Sequence, residues 1–165
     1  MAVLYRLESI AAFIKRRQGR QRAEAPHGCW MDGFDLTLVT GASGFVGSAI
    51  AKAFREAGLQ VRVLIRASSP RINIDPSDTI VVGDICDRDA VAAALRGVRY
   101  LVHAAADYRL WAPSPAEIFR TNVEGTRILV EEALRAGVER IVYTSSVATI
   151  EPICAVRRIA LRSLA

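Results

Sequence analysis

The sequence predicts an α/β fold, a doubly wound parallel sheet that is incomplete at roughly five strands. Three observations predict it. First, an apolar run, Leu36 to Val39, leads into Thr40-Gly41-Ala42-Ser43-Gly44-Phe45-Val46-Gly47, and an alanine-rich helical pattern, Ser48 to Ala57, leads out. Strand, glycine turn and helix in that order build an anion cradle: glycines let a phosphate reach the backbone, and the helix start offers unpaired N–H groups and a positive dipole end. Second, the same punctuation recurs at Ala57-Gly58-Leu59, Arg96-Gly97-Val98 and Ala136-Gly137-Val138, where a helix ends on glycine and a strand begins within a few residues. Third, short apolar strands alternate with helices, which calls for a parallel sheet covered on both faces and wound by right-handed crossovers.

The elements follow in order. Residues 1–30 read as a basic extension, helical over 3–17 through Leu4, Leu7, Ala11 and Ile14, or disordered. A membrane-surface helix is one reading of it; a solvated extension ahead of Met31, the more natural start, is preferred. Residues 34–150 form the folded domain. Strand 36–40 is followed by helix 45–57, then by a strand through Val61, Val63 and Ile65 that ends at Arg66. Residues 67–78, rich in Ser, Pro, Asn and Asp, are a loop, and Thr79 to Val82 is a third strand closed by Gly83-Asp84. Asp87 caps a helix running to Arg96, and Tyr100 to Ala104 is a fourth strand. Ser114-Pro115-Ala116-Glu117 reads as a capping box with proline at the first helical position, starting one helix to Ala136. Ile141 to Thr144 is a fifth strand, and 151–165 is a basic-apolar tail.

The bulk composition narrows the function classes. With 165 residues the chain holds one domain, and at 52% hydrophobic it can pack a core. The net charge of +5 is spread over scattered arginines without interleaved aromatics, so nucleic acid is not expected as a partner. Cys29, Cys86 and Cys154 are odd in number, far apart and without a C-x-x-C, which excludes a disulfide scaffold and fits a reducing cytoplasm. His27 and His103 lack neighbours at ligand spacing, so no metal site is expected. No apolar stretch reaches the roughly 18–20 residues of a membrane span.

A ligand of such a sheet lies at the carboxyl ends of the strands. Those ends carry Gly41, Arg66, Asp84, His103-Ala104-Ala105 and Ser145-Ser146. An acid about 20 residues past the glycine turn holds ribose hydroxyls in many dinucleotide sites; Arg66 instead suits a 2′-phosphate, so NADP is preferred over NAD. Arg62, by contrast, reads as solvated. Asp84 either accepts from an adenine amino group or forms a turn. His103 is either part of the cofactor wall or a buried, hydrogen-bonded histidine. Asn122, unfavourable in mid-helix, bonds backbone or water or faces solvent. Tyr108-Arg109-Leu110-Trp111 is either a substrate-facing lid or a packed loop.

In combination, Thr40 to Gly47 with its G-x-x-G-x-x-G spacing, Gly83-Asp84, His103 to Ala105, Thr121-Asn122-Val123-Glu124-Gly125-Thr126 and Tyr143-Thr144-Ser145-Ser146 resemble the extended short-chain dehydrogenase/reductases, the NAD-dependent epimerase/dehydratase family. His103 to Thr126 looks most like the hopanoid-associated sugar epimerases and dihydroflavonol reductase-like proteins. The resemblance implies a Rossmann fold in which Gly41, Ser43, Gly44 and Gly47 hold a pyrophosphate with Phe45 and Val46 beside it. It also implies that Arg66 faces the 2′-phosphate, Asp84-Ile85 flank adenine and His103-Ala104-Ala105 line the cofactor. Ser146 would match the serine that polarises a substrate carbonyl or hydroxyl, with Ser145 next to it. The substrate implied is a sugar nucleotide or a hydroxyketone.

The family's acid/base is a tyrosine four residues before a lysine, and no Tyr-x-x-x-Lys occurs in this sequence. A tyrosine of ordinary pKa near ~10 is a poor base at neutral pH without that lysine. The expectation is therefore a dinucleotide-binding part of an oxidoreductase or epimerase that is catalytically incomplete, with a truncation or frame change near residue 150 and a doubtful dimer. The alternatives are an active NADP-dependent reductase or epimerase with an atypical base, and a non-enzymatic dinucleotide-binding module.

Overall fold

The computed structural model describes residues 35–109 and 114–145. The strands are β1 (Leu36–Thr40), β2 (Gln60–Ile65), β3 (Thr79–Val82), β4 (Tyr100–His103) and β5 (Arg140–Tyr143). They pair in parallel in the order β3-β2-β1-β4-β5. Helix α1 spans Phe45–Glu56 and α2 spans Arg88–Ala94. Helix α3 (Pro115–Phe119) passes through a π-helical turn, Arg120–Gly125, into α4 (Thr126–Arg135). This is the doubly wound Rossmann-like arrangement the sequence predicts.

Alternation along the strands divides the core in two. Val39, Val63 and Val102 face α1, which buries Ile50, Ala51 and Phe54 against them. Leu38, Leu64 and Leu101 face the other way, onto Val91 and Ala94 of α2 and Leu129 and Ala133 of α4. Burial on both faces is why the central strands β1, β2 and β4 are mostly apolar, whereas the edge strands β3 and β5 are largely exposed. Phe54, 1% exposed, is the largest fully buried side chain; burial of such a side chain contributes about 2–3 kcal/mol.

Several polar contacts fix how the helices lie. Asp87 accepts from the backbone N–H groups of Asp89 (3.0 Å) and Ala90 (3.2 Å), capping α2 as expected. The far end of α2 is closed by Arg62 of β2, whose Nη1 donates to the carbonyls of Ala94 (2.8 Å) and Arg96 (2.6 Å). Arg62 is therefore not the solvated residue the sequence suggested. Its position on β2 faces a helix C-terminus, where unpaired carbonyls and the negative dipole end draw a guanidinium. Arg55, in the last turn of α1, grips the buried Asp78 with two bonds of 2.8 and 2.9 Å. Arg99 pairs with Asp35 and Glu139, joining the starts of β1, β4 and β5.

Two expectations are corrected. Ser114 is the N-cap of α3, but its hydroxyl makes no capping bond. Pro115, at the first helical position, has no N–H, and Glu117 lies 3.7 Å from Arg109 instead of reaching back to the cap. The predicted single helix to Ala136 is interrupted by the π turn, for reasons that belong to the site.

Candidate dinucleotide site

The register brings the strand ends level. Thr40 lies beside Leu64 and His103, Ile65 beside Val82, and His103 beside Tyr143. Along one edge of the sheet the order is thus Gly83-Asp84, Arg66, Gly41, Ala104-Ala105 and Thr144-Ser145. The chain reverses its winding at β1, between β2 and β4, and a crevice forms outside the strands at such a switch.

The glycine turn sits at that point. Gly41 has φ +75°, and a Cβ there would lie 2.7 Å from the Ala104 carbonyl carbon and the Ala105 nitrogen. Only glycine satisfies both the left-handed backbone and the close approach of β4's continuation. Gly47 is constrained more tightly: a Cβ would lie 2.1 Å from the Gly41 oxygen, so the absent side chain lets α1 dock on the turn. Gly44 is different. Its φ of −89° and ψ of 172° suit any residue, and a Cβ would meet only the Gly41 oxygen, at 3.4 Å. Neither backbone nor packing calls for glycine there. Gly44 is the N-cap of a twelve-residue helix with no side-chain cap and no acid in its first turn. Phe45, 88% exposed, and Val46 flank that start. Uncapped amides beside an open glycine fit a diphosphate.

Behind the turn runs a directional hydrogen-bond chain. The Thr126 hydroxyl donates to the Asn122 carbonyl (2.7 Å), so it accepts from His103 Nε2 (2.9 Å). His103 Nδ1 then accepts from the Thr40 hydroxyl (2.7 Å), which in turn accepts from the Ala105 N–H (3.3 Å). His103 is 1% exposed, and burial pushes its pKa down to about 4, so the ring is neutral and this tautomer fits every partner. The imidazole is thus occupied inside the fold; what its segment presents to the crevice is the backbone of Ala104 and Ala105, both half-buried.

Asn122 holds the next stretch. Its Oδ1 accepts from the Asp107 N–H (2.7 Å) and its Nδ2 donates to the Asp107 carbonyl (2.8 Å). This two-point clamp fixes the chain after β4, and it accompanies the π turn, a feature often found at functional sites. Gly125 completes the turn by packing on Ile85, whose Cγ1 would lie 2.7 Å from a Cβ. The Asp107 carboxylate is bound by Arg109 (2.6 to 3.1 Å), whose guanidinium holds its pKa below the usual range, with Arg66 adding to the effect.

The remaining candidates are placed as follows. Arg66 is exposed past β2. Asp84 is exposed and accepts from the Cys86 N–H (2.8 Å), a local turn, while Ile85 is buried beside it. Ser43 is half-buried, and its carbonyl accepts from Asn73 Nδ2 (2.9 Å). Ser145 is exposed at the end of the described fifth strand region. Ser146, Leu110 and Trp111 lie outside the described residues. Sequence reasoning overlooked Thr40 and Thr126 as histidine partners, Asp107 as the clamped residue, and Asn73. The signals available were asparagine in mid-helix for the clamp and asparagine in a serine-rich loop for Asn73.

Among the described residues no group of three or more His, Cys, Asp or Glu side chains could hold a metal ion. No helix there is long and apolar enough to cross a membrane. Burial and Asp84 raise the Cys86 pKa, which keeps that thiol protonated and a weak nucleophile.

Comparison with known proteins matches this arrangement. A dihydroflavonol 4-reductase-like protein of Synechocystis sp. is 45% identical over 123 residues, covering 73% of this chain and 35% of its own length. The crystal structure of gox2253 superposes with a TM-score of 0.66 at 53% identity, over 71% of this chain and 36% of that one. A Thermus thermophilus UDP-glucose 4-epimerase, solved as a complex with NAD, superposes with a TM-score of 0.62 at 31% identity, over 67% of this chain and 37% of that one. The chain spans about a third of the length of these relatives. The sequence model of the NAD dependent epimerase/dehydratase family matches residues 37–156, running past residue 150 into the stretch read from sequence as a tail. The glycine turn, the level strand ends and these matches lead to one conclusion: this chain belongs to the NAD dependent epimerase/dehydratase family.

Proposed function

We propose that the chain binds a nicotinamide dinucleotide, NADP in preference to NAD, as the cofactor-binding part of a reductase or sugar epimerase, and that it does not itself turn over substrate. The observation that carries the reading is Gly44: a glycine needed neither for its φ nor for packing, set before uncapped helix amides. A diphosphate there would accept from the first-turn N–H groups of α1, with Gly41 and Gly47 keeping turn and helix in contact. Phe45 and Val46 would lie alongside it. Arg66 would pair with a 2′-phosphate, Asp84 and Ile85 would border the adenine, and the Ala104-Ala105 backbone would border the remainder. When bound, the nicotinamide supplies hydride transfer; the residues described here bind and orient it.

The finer assignments rest on the family resemblance. Ser146, with Ser145 beside it, would polarise a carbonyl or hydroxyl of a sugar nucleotide or hydroxyketone in a cytoplasmic enzyme. No Tyr-x-x-x-Lys is present among the 165 residues to move the proton, which supports binding without turnover. Titrating the 165-residue chain into NADPH and following nicotinamide fluorescence tests the reading. A saturable change, weaker for NADH, is expected; no saturable change with either dinucleotide refutes it.

A further inference from the structure

The loop between β2 and β3 is fastened along the length of α1. At the helix end, Arg55 holds Asp78 and lies 3.7 Å from Asp75. Ile74 packs against the core that α1 covers. At the helix start, Asn73 Nδ2 donates to the Ser43 carbonyl at 2.9 Å, and Asn73 itself sits in a turn closed by the Ile74 N–H bonding the Arg71 carbonyl at 3.0 Å.

The partner matters because of the peptide unit it touches. The Ser43–Gly44 peptide is planar, so its carbonyl and N–H point in opposite directions. Its N–H donates to the Gly41 carbonyl at 3.0 Å, and its carbonyl is taken by Asn73. Both ends of this one peptide are therefore held. Gly44 carries no Cβ to resist rotation, so the neighbouring peptide owes its orientation to those two bonds. Rotation would move the Ser43 oxygen, a negative dipole end, toward the hollow before α1.

We propose that Asn73 is a positioning residue for dinucleotide binding: it latches the β2–β3 loop to the glycine turn and keeps the Ser43 oxygen out of the diphosphate hollow. The inference rests on the dinucleotide reading above. It assigns Asn73 no contact with the cofactor. It makes the adenosine-side loop and the phosphate turn one unit, so the loop's sequence tunes affinity at a place it does not touch.

The test compares the unsubstituted chain with Asn73→Ala and Asn73→Asp in NADPH titrations, thermal melts and amide hydrogen exchange at Gly44. Asn73→Ala is expected to weaken NADPH about fivefold, the worth of one neutral hydrogen bond. Asn73→Asp is expected to weaken it more, by roughly 20-fold, because a carboxylate accepts only and repels the Ser43 oxygen and the diphosphate. Gly44 exchange should quicken in both, while the melting midpoint falls by no more than the few degrees that one exposed hydrogen bond is worth. Binding unchanged in both variants, or lost only in proportion to a fallen midpoint, overturns the proposal. If the unsubstituted chain binds no dinucleotide, that reading fails by itself; Gly44 exchange unaltered by Asn73→Ala then overturns the latch separately.

Discussion

Substituting alanine at Gly44 and at Gly47 separates a glycine kept for a ligand from one kept for the fold. At Gly47 a new Cβ would lie 2.1 Å from the Gly41 oxygen and 2.4 Å from its carbonyl carbon. These are backbone atoms, so no side-chain rotation relieves the clash, and α1 must lift from the turn. Overpacking in ordinary cores costs about 1–3 kcal/mol. Here the helix carrying Ile50, Ala51 and Phe54 has to move, and a loss of about 3 kcal/mol or more is expected. At Gly44 the only contact is 3.4 Å and the backbone is extended. Two small terms oppose each other there: alanine is a poorer N-cap than glycine by about 0.5–1 kcal/mol, and it stiffens the unfolded chain by about 0.4–1 kcal/mol. The melting midpoint should scarcely change. The methyl group, however, occupies the space where a diphosphate would meet the amides. One lost bond to a charged group is worth about 1.5–3 kcal/mol, which converts to a roughly 10- to 150-fold weaker Kd. Paired urea denaturation and NADPH titration measure both quantities. A Gly44→Ala chain that is folded and binds NADPH like the parent refutes the assignment of the hollow; one that fails to fold refutes the claim that the fold does not need this glycine.

Three further outcomes are expected. Removing the Arg55 guanidinium (Arg55→Leu) leaves the carboxylate of Asp78, whose side chain is 1% exposed, without its partner; stability at pH 7 measured by urea should fall by about 3–5 kcal/mol. Lowering pH should destabilise the fold through His103, because the unfolded ring takes a proton near pH 6.5 and the buried one only near pH 4. That contribution is complete above pH 6.5 and is lost as pH falls toward 4, by about 3 kcal/mol; urea midpoints against pH, flattened in His103→Gln, check it. Arg66→Ala should weaken NADPH roughly 10- to 100-fold through lost charge-assisted bonds while sparing NADH, and equal losses for both dinucleotides would remove Arg66 from the 2′-phosphate.

The parts legible in the sequence were those set by local chemistry. Strands appear within a residue of their expected limits because their apolar runs are short and bounded by glycine. Gly58, Gly97 and Gly137 all carry the positive φ their helix ends require. Asp87 caps α2 because an N-cap is a local bond. Contacts between distant residues were not legible. Arg62 looked solvated because nothing in its own neighbourhood shows that the end of α2 lies over it. The π turn carries contacts with distant residues: Asn122 meets Asp107 fifteen residues away and Gly125 meets Ile85 forty residues away. Of the site, the glycine turn was readable because strand, turn and helix are contiguous. Whether His103 lines the cofactor or is buried and hydrogen-bonded was left open because its partners are Thr40 and Thr126, which the sheet and α4 bring to opposite sides of the ring.

The most direct measurement is an amide chemical-shift map of the 165-residue chain as NADPH is added. The largest shifts should fall on Gly41, Gly44, Phe45, Val46 and Gly47, with Arg66 and Ala105 next and the amides of α2 still. Shifts that leave the 41–47 amides unmoved, or none at saturating NADPH, would contradict a diphosphate held at the start of α1.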